Sequence, residues 1–303
     1  MNAPAASNKS TNGRKENLIR FLRGTFALSS RVSTPLTAAA ALRLFLKPTR
    51  HPRPAREKEV LATAIPLVGT PGVAAWQWGR GPVILLVHGW EGRGAQLGAF
   101  VEPLVEAGFR VVAFDAPAHG ASPGSQATLV DFADAITAVA ARVGPTYGVI
   151  AHSFGCAGAT LAMSRGLAVR AAIFIAPPVR LSDGAQLFAD VLGLSPEVRG
   201  EMRSLIEQRV GLRWDDLDAT NLARGQQAAL LVMHDREDRE IPWATGAELA
   251  GVWPRAQLLS TSGLGHRRIL RDPGVVETAV RLFSCLAPDS RSDLDRELDV
   301  LLH

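Results

Sequence analysis

Val83-Ile84-Leu85-Leu86-Val87 is apolar at every position, and so is Ala229-Leu230-Leu231-Val232-Met233. A strand with one face in water alternates apolar and polar residues. A strand that is apolar throughout is buried on both faces, as in a parallel sheet covered by helices. Tyr147 to Ile150 is a shorter run of the same kind, and further candidate strands lie at 62–68, 72–78, 110–115, 171–176 and 257–261. Helical patterning falls between them at 96–107, 129–143, 156–165, 243–252 and 273–286. This alternation predicts an α/β fold, a mostly parallel eight-stranded sheet with helices on both faces. Such sheets carry their active loops at the C-terminal edge of the strands.

The residues at those edges change character. His88-Gly89-Trp90 follows the run at 83–87, and His234-Asp235-Arg236-Glu237-Asp238 follows the run at 229–233. Gly263-Leu264-Gly265-His266 follows the last strand, and Ala151-His152-Ser153-Phe154-Gly155 joins a strand to an Ala/Gly-rich helical stretch. A serine on a sharp strand-to-helix turn has its hydroxyl pushed out of the sheet, and small flanking residues let the backbones approach there. The chain order is Ser153, Asp238, His266, with gaps of 85 and 28 residues. Serine, acid, histidine is the order of one serine-hydrolase architecture, and differs from the chymotrypsin and subtilisin orders.

With HGW, DAPAHGAS, AHSFG, HDREDREIP and GLGHRR each at a strand end, the chain resembles the α/β-hydrolase family, in its esterase- and lipase-like branch, over about residues 62–286. Ala151 departs from the glycine usual at the first position of the elbow. The resemblance implies that Ser153 is the nucleophile, His266 the base and Asp238 the acid that orients it. Asp238 stands four residues after His234, the family's spacing, with Asp235 and Glu237 as close neighbours. It also implies that the backbone amides of Phe154 and Trp90 form the oxyanion hole. His88 is expected to brace its loop, His152 to point away from the site, and Asp115 and His119 to organise the loop after the fourth strand. Cys156 reads as packing, and Arg267 and Arg268 as solvated.

The function expected is hydrolysis of a carboxylic ester or thioester of a small-molecule or acyl substrate, with lactone and amide cleavage open on the same residues. Dehalogenases and epoxide hydrolases of this fold attack with an aspartate, which Ser153 argues against. A non-catalytic scaffold that binds a ligand or a partner is the alternative reading. No cofactor and no metal site is expected, because the sequence has no GxGxxG, no GxxxxGK and no ligand-spaced His/Cys/carboxylate cluster.

Two cysteines in 303 residues argue against a disulfide scaffold and suit a reducing compartment. The first twenty residues are polar and unlike a secretory signal, and no segment reaches the roughly 20 apolar residues of a spanning helix. The expected location is therefore cytoplasmic. The net charge of +4 is uneven: residues 1–60 hold 12 Lys/Arg against 3 Asp/Glu, and the remainder 21 against 26. The basic character thus belongs to the N-terminal segment, and with no stacking or groove-reading motif it gives no case for nucleic acid.

Residues 1–15 read as a disordered basic tail, and 16–60 as amphipathic helices broken near Ser33-Thr34-Pro35 and followed by a proline-rich linker. Residues 61–303 read as the catalytic domain, with a helical cap inserted at 181–227. The N-terminal helices are expected to pack on that domain; the alternative is a helix lying on a membrane surface.

Overall fold

The computed structural model describes residues 8–286. The ends of the expected tail (1–7) and of the expected catalytic domain (287–303) lie outside the described residues. Three helices come first: α1 (Asn8–Val32), α2 (Thr34–Phe45) and α3 (Ala55–Ala62). The strands are β1 (Ile65–Leu67), β2 (Ala74–Trp78), β3 (Val83–Val87), β4 (Arg110–Asp115), β5 (Thr146–His152), β6 (Ala171–Ile175), β7 (Ala229–Asp235) and β8 (Ala256–Thr261). Between and after them lie α4 (Val101–Glu106), α5 (Leu129–Val143), α6 (Phe154–Ser164), α7 (Leu181–Leu192), α8 (Pro196–Val210), α9 (Ala219–Ala223), α10 (Trp243–Val252), α11 (Gly265–Arg268) and α12 (Pro273–Cys285).

The sheet order is β1-β2-β4-β3-β5-β6-β7-β8. β2 runs antiparallel to β1 and β4, and every pairing from β4 through β8 is parallel. All five residues of β3 are buried, as are all seven of β7. Side chains alternate between two cores. Ile84, Leu86, Val111, Ala113, Ile150, Ile173, Leu231 and Met233 share one with Leu104 of α4 and with Ala279, Leu282 and Phe283 of α12. α5 and α6 pack against each other and against β3. Local chemistry sets the helix ends. Thr128 and Asp131 form a reciprocal capping box at the start of α5. Asp272 caps α12 through the Val275 amide, with Pro273 in the first turn.

Two segments depart from the sequence expectation. The stretch 55–62, where the sequence predicts no helix and begins a strand at 62, is helix α3. Pro54 sets its N-terminal boundary and good helix formers follow, so its signal was overshadowed by the three prolines just before it. Helix α1 begins at Asn8, inside the stretch expected to be disordered.

The chain divides into two compact units, Met1–Leu46 with Arg180–Asp215, and Lys47–Val179 with Asp216–His303. The first unit joins the N-terminal helices to the inserted helices α7 and α8, so the expected boundaries at 60/61 and 181/227 do not follow its limits. Its core holds Phe26, Ala38, Ala41, Leu42 and Leu46 together with Leu192, Leu194, Val198 and Met202. The break between α1 and α2 falls where the sequence places it: Ser33 caps α2 and Pro35 sits in its first turn. The second unit carries the sheet.

Candidate active site

β5 ends at His152 and α6 begins at Phe154, leaving Ser153 alone at the turn. Its backbone has φ 51° and ψ −125°, a conformation that costs a non-glycine residue on the order of 1–3 kcal/mol and is held only when its surroundings impose it. They do so here: the Ser153 amide donates to the Ile175 carbonyl at 2.9 Å, and the Cys156 amide donates to the Ser153 carbonyl at 2.8 Å. Two glycines bring the loop after β3 against this turn. A β-carbon at Gly155 would lie 2.4 Å from the His88 carbonyl oxygen, and one at Gly89 would lie 2.9 Å from the Ser153 β-carbon. Ala151, by contrast, is fully buried in β5 between Val87 and Phe174, where its methyl is accommodated.

As the first residue of α6, Phe154 has an amide with no acceptor inside the helix. Its ring meets Trp90 edge-on at 5.4 Å and Phe132 at 5.0 Å, and Trp90 meets His119 at 5.1 Å. His88 links the loops: its Nδ1 lies 2.7 Å from the Gly89 carbonyl, and its Nε2 accepts from the Ala116 amide at 2.8 Å. That pairing assigns the neutral tautomer with the proton on Nδ1. Complete burial, followed by the nearby His119, lowers its pKa to about 3.

Asp238 and His266 meet across the β7 and β8 loops. His266 Nδ1 lies 2.7 Å from Asp238 Oδ2, and both side chains are nearly sealed from solvent. A carboxylate only accepts, so Nδ1 carries the proton, and in the neutral imidazole Nε2 is then the nitrogen with the free lone pair. Asp238 Oδ1 accepts from the Glu240 and Ile241 amides at 2.8 and 2.9 Å. Burial pushes the Asp238 carboxyl upward, but hydrogen bonds from His234, His266 and the Ile241 amide outweigh it and hold the group well below the usual carboxylate range. Asp235 is occupied elsewhere, accepting from Thr261 Oγ1 at 2.7 Å, the Leu264 amide at 3.0 Å and the Glu237 amide at 3.0 Å.

Ser153, His266 and Trp90 line one cavity of about 400 Å³. His152 lines it too, which corrects the expectation that it points away. Its Nε2 lies 2.9 Å from the His266 carbonyl, and the two rings are 4.6 Å apart. Nothing in the local pattern of β5 signals this contact, because it depends on the loop after β8.

The proline-rich stretch is more than a linker. Arg50 donates to the carbonyls of Ala118, Gly120, Ser122 and Gly124 in the loop after β4. Arg53 pairs with Asp115 at 2.5 Å. Asp115 also accepts from the Gly94 and Ala121 amides at 2.8 and 2.7 Å, in keeping with its expected organising role. The Thr49 amide donates to Glu91 at 3.0 Å. Arg93 forms a buried two-pronged pair with Glu57 of α3. Residues 47–57 therefore strap the loops after β3 and β4 together. Arginines set between prolines were the signal for this in the sequence.

Among the described residues, no group of three or more His, Cys, Asp or Glu is arranged to hold a metal ion. No described helix is long and apolar enough to cross a membrane.

The sheet order, the turn at Ser153 and the acid–histidine pair define an α/β enzyme architecture. The sequence profile of the alpha/beta hydrolase family matches residues 84–279, and the chain belongs to that family. No curated protein matches the sequence. Among solved structures it is similar to a monoacylglycerol lipase of Paleococcus ferrophilus, with 21% identity and a TM-score of 0.57 over 71% of this chain and 99% of that one. It is similar to the esterase RhEst1 of Rhodococcus sp. ECU1013, with 17% identity and a TM-score of 0.54 over 74% and 99% of the two chains. It is also similar to a bromoperoxidase of Bacillus anthracis, with 15% identity and a TM-score of 0.54 over 70% and 95%. At these identities the likeness is one of fold.

Proposed function

We propose that this protein is a serine hydrolase that cleaves a carboxylic ester or thioester through an acyl-serine. The observation that carries the reading is the 2.7 Å contact of His266 Nδ1 with buried Asp238, with His266 lining the same cavity as the strained Ser153. A serine hydroxyl is a weak nucleophile until a base takes its proton. With Nδ1–H committed to Asp238, Nε2 of His266 is the free base, and the Asp238 carboxylate stabilises the imidazolium that forms. Attack of Ser153 Oγ on the carbonyl gives a tetrahedral oxyanion. The amides of Phe154 and Trp90 are the proposed donors to it, each worth on the order of 3 kcal/mol. The imidazolium then protonates the leaving group, and a water activated by the same histidine releases the acid and restores Ser153.

Membership of the hydrolase family and similarity of fold to an esterase and a lipase support an enzyme over a scaffold. A small-molecule substrate fits a cavity of this size. Two cysteines, both free, fit a reducing, cytoplasmic setting. The test is hydrolysis of p-nitrophenyl esters of increasing chain length, with acyl-CoA in parallel, by the wild type and by Ser153→Ala. The wild type is expected to turn over at least one of them and Ser153→Ala to lose about 10⁴-fold or more in kcat. A Ser153→Ala variant as active as the wild type would refute the assignment.

A further inference from the structure

The cavity beside Ser153 is unlike an acyl-chain tunnel. Among the described residues Trp90 and Leu270 are the only large apolar side chains that line it, whereas Arg56, Arg93, Arg267 and Arg271 all reach its walls. Two of these arginines are neutralised. Arg93 is buried in its two-pronged pair with Glu57, and Arg267 pairs with Glu240 at 3.0 Å. The third lining carboxylate, Glu91, is held by the Thr49 amide at 3.0 Å and lies 3.5 Å from His51. The side chains of Arg56 and Arg271 have no hydrogen bond or ion pair among the described residues. They come from separate elements, Arg56 from the first turn of α3 and Arg271 from the turn five residues beyond His266.

We propose that this cavity takes a substrate bearing an oxyanion, a carboxylate or a phosphate, away from its scissile acyl bond, and that Arg56 and Arg271 bind that group. A guanidinium offers a planar fork of donors matched to either oxyanion, and such charge-assisted bonds are about twice as strong as neutral ones. With Arg93 and Arg267 committed to carboxylates, two cations remain free beside the one carboxylate that no arginine pairs, so the cavity keeps positive charge for an incoming anion. Arg267 and Arg268, which the sequence reads as solvated, are not available for that role. The structure gives Arg267 to Glu240, and Arg268 to the carbonyls of Leu264 and Gly263.

The inference rests on the serine-hydrolase reading, and its experiment separates the two. The wild type and the Arg56→Gln/Arg271→Gln double variant are assayed on p-nitrophenyl butyrate, on mono-p-nitrophenyl glutarate and on butyryl-CoA. The wild type is expected to favour at least one anionic substrate over the neutral ester by tenfold or more in kcat/KM, and the double variant to lose most of that ratio. An advantage for the glutarate ester puts the anion on the acyl side, and one for butyryl-CoA puts it on the leaving group. A wild type that favours the neutral ester, or a ratio unchanged in the double variant, overturns the proposal. If none of the three is hydrolysed, the hydrolase reading fails and calorimetric titration decides the anion site alone. Saturable binding of glutarate or inorganic phosphate, weakened about tenfold in the double variant, supports it. No binding, or equal binding by both proteins, overturns it.

Discussion

His152 and His266 are joined through the backbone: the His152 Nε2–H donates to the His266 carbonyl at 2.9 Å. One bond thus ties the strand that delivers Ser153 to the loop that delivers the candidate base. His152→Asn removes it, and a typical net hydrogen bond is worth about 1 kcal/mol, or roughly a fivefold rate effect. The expected result is a lower kcat with KM nearly unchanged, measured on any ester the enzyme accepts. A rise in KM alone would assign His152 to substrate contact instead.

The same residue predicts a pH dependence of stability. Burial first, and then neighbouring His266, lowers the His152 pKa to about 3, and His88 is lowered to about 3 chiefly by burial. Both are neutral in the folded state, whereas unfolded histidine titrates near 6.5. Their contribution is therefore intact above about pH 6.5 and is lost as pH falls from there towards 3, by about 1.4 kcal/mol per pH unit for each group. The melting temperature should fall between pH 7 and pH 5, and less steeply in His152→Asn. Equal slopes in the two proteins would contradict the assignment.

Asp238 and Asp235 divide two tasks. Asp238→Asn keeps the shape but favours the wrong imidazole tautomer, so it should lower kcat by about 10⁴ with the fold retained. Asp235→Asn weakens contacts to Thr261, Leu264 and Glu237, and should instead lower the melting temperature. Kinetics and thermal unfolding of both variants check this; the larger kinetic loss at Asp235 would reverse it.

The strap makes a prediction about stability. Glu57→Gln leaves Arg93 buried without its counter-charge, a change that typically costs 3–5 kcal/mol, and at 2–4 °C per kcal/mol the melting temperature should drop by roughly 10 °C. Because Arg93 lies in the same loop after β3 as Trp90, kcat should fall as well. A variant as stable as the wild type would show that the pair is dispensable.

What the sequence made legible was local. β3 and β7 were readable because a strand buried on both faces has no polar position to blur it, and the places of Ser153, Asp238 and His266 because each lies in the loop that follows a strand, at the C-terminal edge of the sheet. Helix α3 was hidden by the prolines that precede it. The pairing of Phe26 and Leu42 with Leu192 and Met202 was hidden because helical period tells which face is apolar and nothing about what covers it.

That shared core makes its own prediction. Removing residues 1–15 should leave the melting temperature unchanged, since among the described residues Phe26 is the first buried large side chain of α1. Removing residues 1–46 strips Phe26, Leu42 and Leu46 from Leu192, Val198 and Met202, at about 1.5–3 kcal/mol for each large side chain, and should lower it. Leu18, Phe21, Leu28 and Val32 stay exposed along one face of α1, as a membrane-lying helix requires. If the longer truncation kept its melting temperature and lost only liposome binding, the membrane role would replace packing.

The most direct test of Ser153 as nucleophile is its reaction with a fluorophosphonate, followed by mass spectrometry of the labelled peptide. We predict a single adduct on Ser153, its formation slowed strongly in His266→Ala and Asp238→Asn and abolished in Ser153→Ala. A folded wild-type protein that takes no label, or that takes it on another residue, would contradict the account.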